Sequence, residues 1–276
     1  DFGMQGELPS HPELLDWLAV DFREHGWDIK RLIKQIVMSA TYRQSSAVDA
    51  EKLEIDPENI LLARASRRRL IAEGIRDLAL ASSGLMVKEI GGPSMKVYQP
   101  KGIWESSTSG RGVLARYVQD HDDDLYRRGL YSFIKRTVPP PGMLIFDGSN
   151  RDQCEVNRMR TNTPLQALVL LNDPVILESA RVFAERLMNN SKTDEDRIKL
   201  AFQSIVCRMP GKEELSMLLT YFDSEKIRFA QAPQKADLFI QAGEYPYSKV
   251  EDVVSLAALM QVVQTIYNLD EAITKT

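Results

Sequence analysis

Cysteine, histidine and long apolar runs are scarce in this chain of 276 residues. The two cysteines, Cys154 and Cys207, are too few for a disulfide framework, and neither sits in the closely paired context of a zinc, redox or haem-attachment motif. The three histidines, His11, His25 and His121, lie far from Cys154 in sequence, so no Cys-His nucleophile pair is legible, and an inert thiol is the leading reading of Cys154. The longest apolar run, Val253 to Val263, is interrupted by Ser255 and Gln261 and falls far short of the roughly 20 residues that cross a bilayer. No membrane span is expected. Asp1, Phe2, Gly3 and Met4 form neither a charged nor an apolar leader, so no export signal is visible and the chain is expected to begin partway through a longer one. Charge of one sign is lacking as well: 35 basic against 39 acidic residues give a net charge of -4, too weak a field to point to nucleic acid or an anionic membrane. A hydrophobic content of 43% is enough for a substantial core, and the chain reads as soluble and globular.

What is present is helical periodicity at both ends. Ser10 and Glu13 have capping-box spacing, with Pro12 in the first turn and Leu14, Leu15, Trp17, Leu18 and Phe22 following at helical intervals up to Gly26. A second helix is predicted after Asp28 as N-cap, with Ile29, Leu32, Ile33, Ile36 and Val37 on one face, fading at Ser39; the two suggest an antiparallel hairpin. Leu70 to Leu80 continue the pattern to Gly84, a natural stop. Further starts are marked by Thr163 before Pro164, by Asp173 before Pro174 and by Thr193; later helices are expected over about 212–229 and 250–273.

Between Gly91 and Asn162 the texture changes. Glycines and prolines, including Pro139, Pro140 and Pro141, break any long helix; the prolines suggest a stiff polyproline brace, and Leu130 to Ile134 a short strand. The expected fold is therefore mainly α: one bundle-like domain over 1–276, truncated at its N-terminus, helical over 1–90 and 163–276. Its long irregular segment, about 91–162, is rich in Pro, Gly and Arg and has room for a small β-sheet.

That segment carries the candidate site. Arg127, Arg128, Asp147, Arg151, Arg158, Arg160, Asn162 and Thr163 crowd backbone without regular hydrogen bonds, with Asp152 and Glu155 nearby. Guanidinium groups prefer planar, bidentate acceptors such as carboxylate, sulfate or phosphate. The arginines therefore either line an anion pocket or form an internal ion-pair network that orders the loop, and the network is the leading reading. Thr163 is expected to cap a helix and Asn162 to satisfy loop amides, with anion binding at that helix start as the other option. His121, Asp122, Asp123 and Asp124 are consecutive and point in different directions, so no metal site is expected; a solvated acidic loop pairing with Arg127 and Arg128 fits better. Arg67, Arg68 and Arg69 read as a solvated or carboxylate-paired run, and Trp104 as a buried plug or a sugar-stacking ring.

The segments DFGMQGELPSHPELLDWLA, SATYRQSS, RRRLIAEGIRD, GGPSMKVYQP, YRRGLYSFIKRTVPPPGMLIFD, RTNTPLQALVLLNDP and NLDEAIT together resemble the C-terminal domain, of unknown function, of the large planctomycete-type cytochrome-associated proteins. The resemblance covers essentially the whole chain. It implies a periplasmic or otherwise exported setting, preceding domains of the same polypeptide as partners, and haem in a separate domain; the chain itself has no haem-binding motif and is expected to carry no cofactor. It supplies no catalytic residues. Two function classes follow: a noncatalytic binding or assembly module that contacts its neighbouring domains and an extracellular polymeric or anionic ligand, or part of an enzyme acting on an anionic carbohydrate-like substrate, with Asp147 or Asp152 as acid or base.

Overall fold

The computed structural model describes residues 3–107, 115–149, 151, 155, 157–247 and 251–275. The chain divides into two compact units, residues 1–68 and 69–275. The fold is mainly helical, as expected, and the sheet of the described residues is only two strands of two residues each, β1 (Arg68–Arg69) and β2 (Thr274–Lys275).

The first unit holds α1 (Pro12–Glu24), α2 (Ile29–Met38) and α3 (Ala50–Ile55). Pro12 occupies the first helical position of α1, so the non-helical cap is His11, and no side chain caps the helix. The expected capping box on Ser10 is displaced because proline fixes the helix start one residue later. Asp28 does cap α2, accepting from the Arg31 amide at 3.0 Å, and Asp21 of α1 takes an Arg31 guanidinium nitrogen at 3.0 Å.

The second unit is built around one apolar helix. Asp252 caps α12 (Val253–Tyr267) through the Ser255 amide at 2.9 Å; Leu256, Ala258, Met260, Val262, Val263 and Ile266 are then fully enclosed. Burying each large side chain of this kind contributes about 1.5–3 kcal/mol. Around it pack α8 (Pro174–Asn190), α9 (Asp194–Val206), α10 (Lys212–Ala230) and α11 (Pro233–Phe239), with α4 (Ala72–Ser83) against α8. Asp173 and Thr193 cap α8 and α9 as predicted. The last predicted helix is two: α12 ends at Tyr267 with Asn268 as its cap, Leu269 is extended, and α13 (Asp270–Ile273) adds one turn.

The irregular segment is ordered by short elements: α5 (Ile103–Ser106), α6 (Pro141–Ile145) and one-turn helices at Asp122–Tyr126 and Gly129–Tyr131. The strand expected over Leu130 to Ile134 reduces to a single bridge between Ser132 and Met95. The triple proline is not a continuous brace, because Pro141, whose missing amide costs nothing in a first turn, begins α6. α7 (Pro164–Asn172) begins after the stretch 146–163.

Candidate functional site

The predicted site residues are brought to several places rather than one. Arg127 is buried; its guanidinium donates to the Pro93 carbonyl at 2.6 Å and to the Gly91 carbonyl, and lies 4.1 Å over the Tyr131 ring. Arg128 is exposed and pairs with Asp77 of α4 at 3.1 Å, while the next amide, Gly129, donates to the same carboxylate at 2.6 Å. A Cβ on Gly129 would come within 2.8 Å of the Glu73 backbone, so only glycine permits this approach to α4. One terminal nitrogen of Arg158 reaches both carboxylate oxygens of Glu73, at 2.8 and 3.0 Å.

Asp147 hydrogen-bonds to Thr161 rather than to an arginine. Its carboxylate accepts from the Thr161 amide at 2.7 Å and the Thr161 hydroxyl at 2.9 Å. Gln166, which is 1% exposed, donates to that hydroxyl and to the Ile145 carbonyl, both at 3.0 Å, and accepts from Arg69 at 2.9 Å. A polar chain Arg69–Gln166–Thr161–Asp147 thus fastens the segment to α7. The space beside it, lined by Asp147, Arg158 and Arg160, measures only about 10 Å³. Arg151, Arg160 and Asn162 are exposed. Thr163 is the cap residue of α7 by backbone angle but makes no side-chain cap bond; its carbonyl accepts from the Gln166 amide at 3.0 Å. The candidate residues Asp152 and Cys154 lie outside the described residues.

The acidic run at Asp122 to Asp124 does not pair with Arg127 or Arg128, whose donors go to the groups named above. Instead His121 bonds to Glu244 at 2.8 Å, and that hydrogen bond holds the imidazole above its ordinary range. No metal-holding group of three or more His, Cys, Asp or Glu occurs among the described residues. Trp104 is 2% exposed, beside Tyr117 and under the Lys135 ammonium, so the plug reading holds.

Two features escaped sequence reasoning. Glu178 is fully buried on α8 and accepts from the Tyr126 hydroxyl at 3.0 Å, the Tyr98 hydroxyl at 3.1 Å and the Tyr245 amide at 2.6 Å. Burial, then the adjacent Glu178 carboxylate, pushes both phenols well above their usual range, so they stay protonated donors. The other feature is a cavity of about 560 Å³, walled by α4, the stretch 97–100, α6 and the junction of α7 and α8. Its lining is mostly apolar, with Arg76 and Asp173 as its charged groups. A charged residue beside Ile75 on the buried face of α4 was the available sequence signal. Arg76 donates to the Leu125 carbonyl at 2.5 Å, and its Nε has no hydrogen-bond partner among the described residues. Burial lowers the tendency of Arg76 to stay charged, partly opposed by Asp173, whose own carboxyl burial pushes upward.

A family model described as PSD1, a protein of unknown function (DUF1553), matches residues 1–222. No curated protein and no solved structure matches the chain.

Proposed function

We propose that this chain, which belongs to the PSD1 family of unknown function, works as a noncatalytic binding or assembly module of an exported multidomain bacterial protein. The single observation that carries this reading is the use of Asp147, Arg127 and Arg158 as internal fasteners. Each is committed to protein partners: Thr161, the carbonyls of Gly91 and Pro93, and Glu73. An enzyme built on Asp147 and Arg158 needs an open cleft in which carboxylate and guanidinium face substrate, and the space that these two line, about 10 Å³, holds about one water. The enzyme reading, an anionic carbohydrate as substrate, therefore has less support.

The rest of the proposal draws on the resemblance to the C-terminal domain of planctomycete-type cytochrome-associated proteins: a periplasmic or otherwise exported location, docking to preceding domains, haem in one of those domains, and an extracellular anionic or polymeric ligand. No described helix is long and apolar enough to cross a membrane.

Arg158→Ala tests the core of the reading. Removing the guanidinium strands Glu73, whose side chain is 12% exposed. The expected loss is about 1–3 kcal/mol, read as a drop of several degrees in Tm. An unchanged Tm would contradict a fastening role.

A further inference from the structure

The cavity between α4, α6 and the α7–α8 junction is not used by any of the fastening contacts just described. We infer that it binds a small ligand with an apolar body and a terminal oxygen acceptor, a carboxylate or a carbonyl, directed at Arg76. This rests on the reading of the chain as a binding module and names the chemistry of its ligand.

Three observations converge. A volume of about 560 Å³ falls inside the roughly 300–1,000 Å³ typical of small-molecule sites. The walls, with Val97, Met143, Phe146, Val169 and Val175 among them, are apolar. An aliphatic or aromatic body gains affinity there with each group removed from water. The polar groups on the lining have spare donors. A guanidinium has five N–H groups; among the described residues Arg76 bonds to the Leu125 carbonyl and, at 4.0 Å, to the Met95 sulfur, and its Nε has no partner there. Gln99, also on the lining, has an amide nitrogen that is likewise buried without a partner among them. Buried donors without acceptors are costly, so an incoming oxygen is favoured over a group that can only donate.

Asp173, the other charged group on the lining, has one oxygen occupied by the Val175 amide at 2.9 Å. A second cation would meet the buried Arg76 guanidinium at close range. With burial pushing the Asp173 carboxyl toward its neutral form, the unpartnered donors of Arg76 and Gln99 favour an acceptor-ended ligand over a cation-ended one of the same length.

The test is isothermal titration of the whole chain with octanoate, decanoate, dodecanoate and dodecyltrimethylammonium below their critical micelle concentrations, and with methyl decyl ketone below its solubility limit. The expected result is affinity that rises about fourfold per added methylene along the carboxylates. Acceptor-ended ligands should bind at least tenfold tighter than the ammonium. Arg76→Met should remove that preference. Since Arg76 is buried and this variant can lose its fold, Leu168→Trp is the second arm: Leu168 is 56% exposed on α7 at the cavity wall, and the larger ring should block every ligand with no drop in Tm. If ammonium and carboxylate bind equally, selection by Arg76 is wrong while the cavity stands as a site. If no ligand binds the unaltered chain, the cavity assignment is overturned, whereas the noncatalytic reading, tested by Arg158→Ala, is untouched.

Discussion

Glycine at position 129 shows how single residues shape the irregular segment. Its amide bonds to Asp77 while its α-carbon lies against the Glu73 backbone, at the foot of the same helix that receives Arg128 and Arg158. Gly129→Ala should cost about 1–3 kcal/mol through overpacking, checked by urea denaturation, whereas an alanine at Gly91, where a Cβ meets nothing, should cost only the strain of a positive φ. Glu214 supplies the residue-scale pH dependence. Hydrogen bonds from Arg208 and from the Gly211 amide hold its carboxyl down at about 2, below an ordinary 4.5. A depressed carboxylate stabilises the fold at pH above its unfolded value, and that contribution disappears as pH falls from about 4.5 through about 2. Glu214→Gln should lower the denaturation midpoint at neutral pH and leave a shallower acid limb than the parent; an identical acid limb in both would exclude Glu214 as its source.

Among the elements, α12 dominates because it is mostly apolar and buried along most of its length, with Val253, Val254, Gln261 and Thr265 partly exposed. Leu259, 1% exposed, is predicted to cost about 2–5 kcal/mol when cut to alanine, measured as a lower denaturant midpoint with little change in slope. The long elements were legible for the same reason that they are stable: α2, α4, α8, α9 and α10 carry apolar residues at helical spacing between recognisable caps and stops, as at Asp28, Gly84, Asp173 and Thr193. Short elements were less so. α3 and α11 have six and seven residues, too few for periodicity to stand out; Asp49 caps α3, and α11 packs against α12. The break at Leu269 was hidden because the apolar pattern continues across it.

At the scale of the molecule, the sequence located the charged segment but not its partners. Along the chain Arg151, Arg158 and Arg160 lie near Asp147, Asp152 and Glu155, whereas the ion pair that Arg158 forms is with Glu73, 85 positions away. Arg128 likewise finds Asp77 on the same helix, 51 positions away. Such pairings depend on which helix face the loop crosses, which local pattern does not encode. The cavity was invisible for the same reason: its walls come from segments distant in sequence, and Asp173 was legible only as a cap. The second unit, residues 69–275, contains both the fasteners and the apolar core, so the two should lose structure together.

The central claim is that charges of the irregular segment hold it to α4 rather than await a substrate. A double-mutant cycle on Arg158 and Glu73, with Arg158→Ala, Glu73→Ala and both together followed by urea denaturation, measures that directly. A coupling of about 1–3 kcal/mol is predicted, with the double variant far less destabilised than the sum of the two single ones. Strictly additive losses would contradict it, for they would mean that the two side chains act apart and that the guanidinium is held for something else.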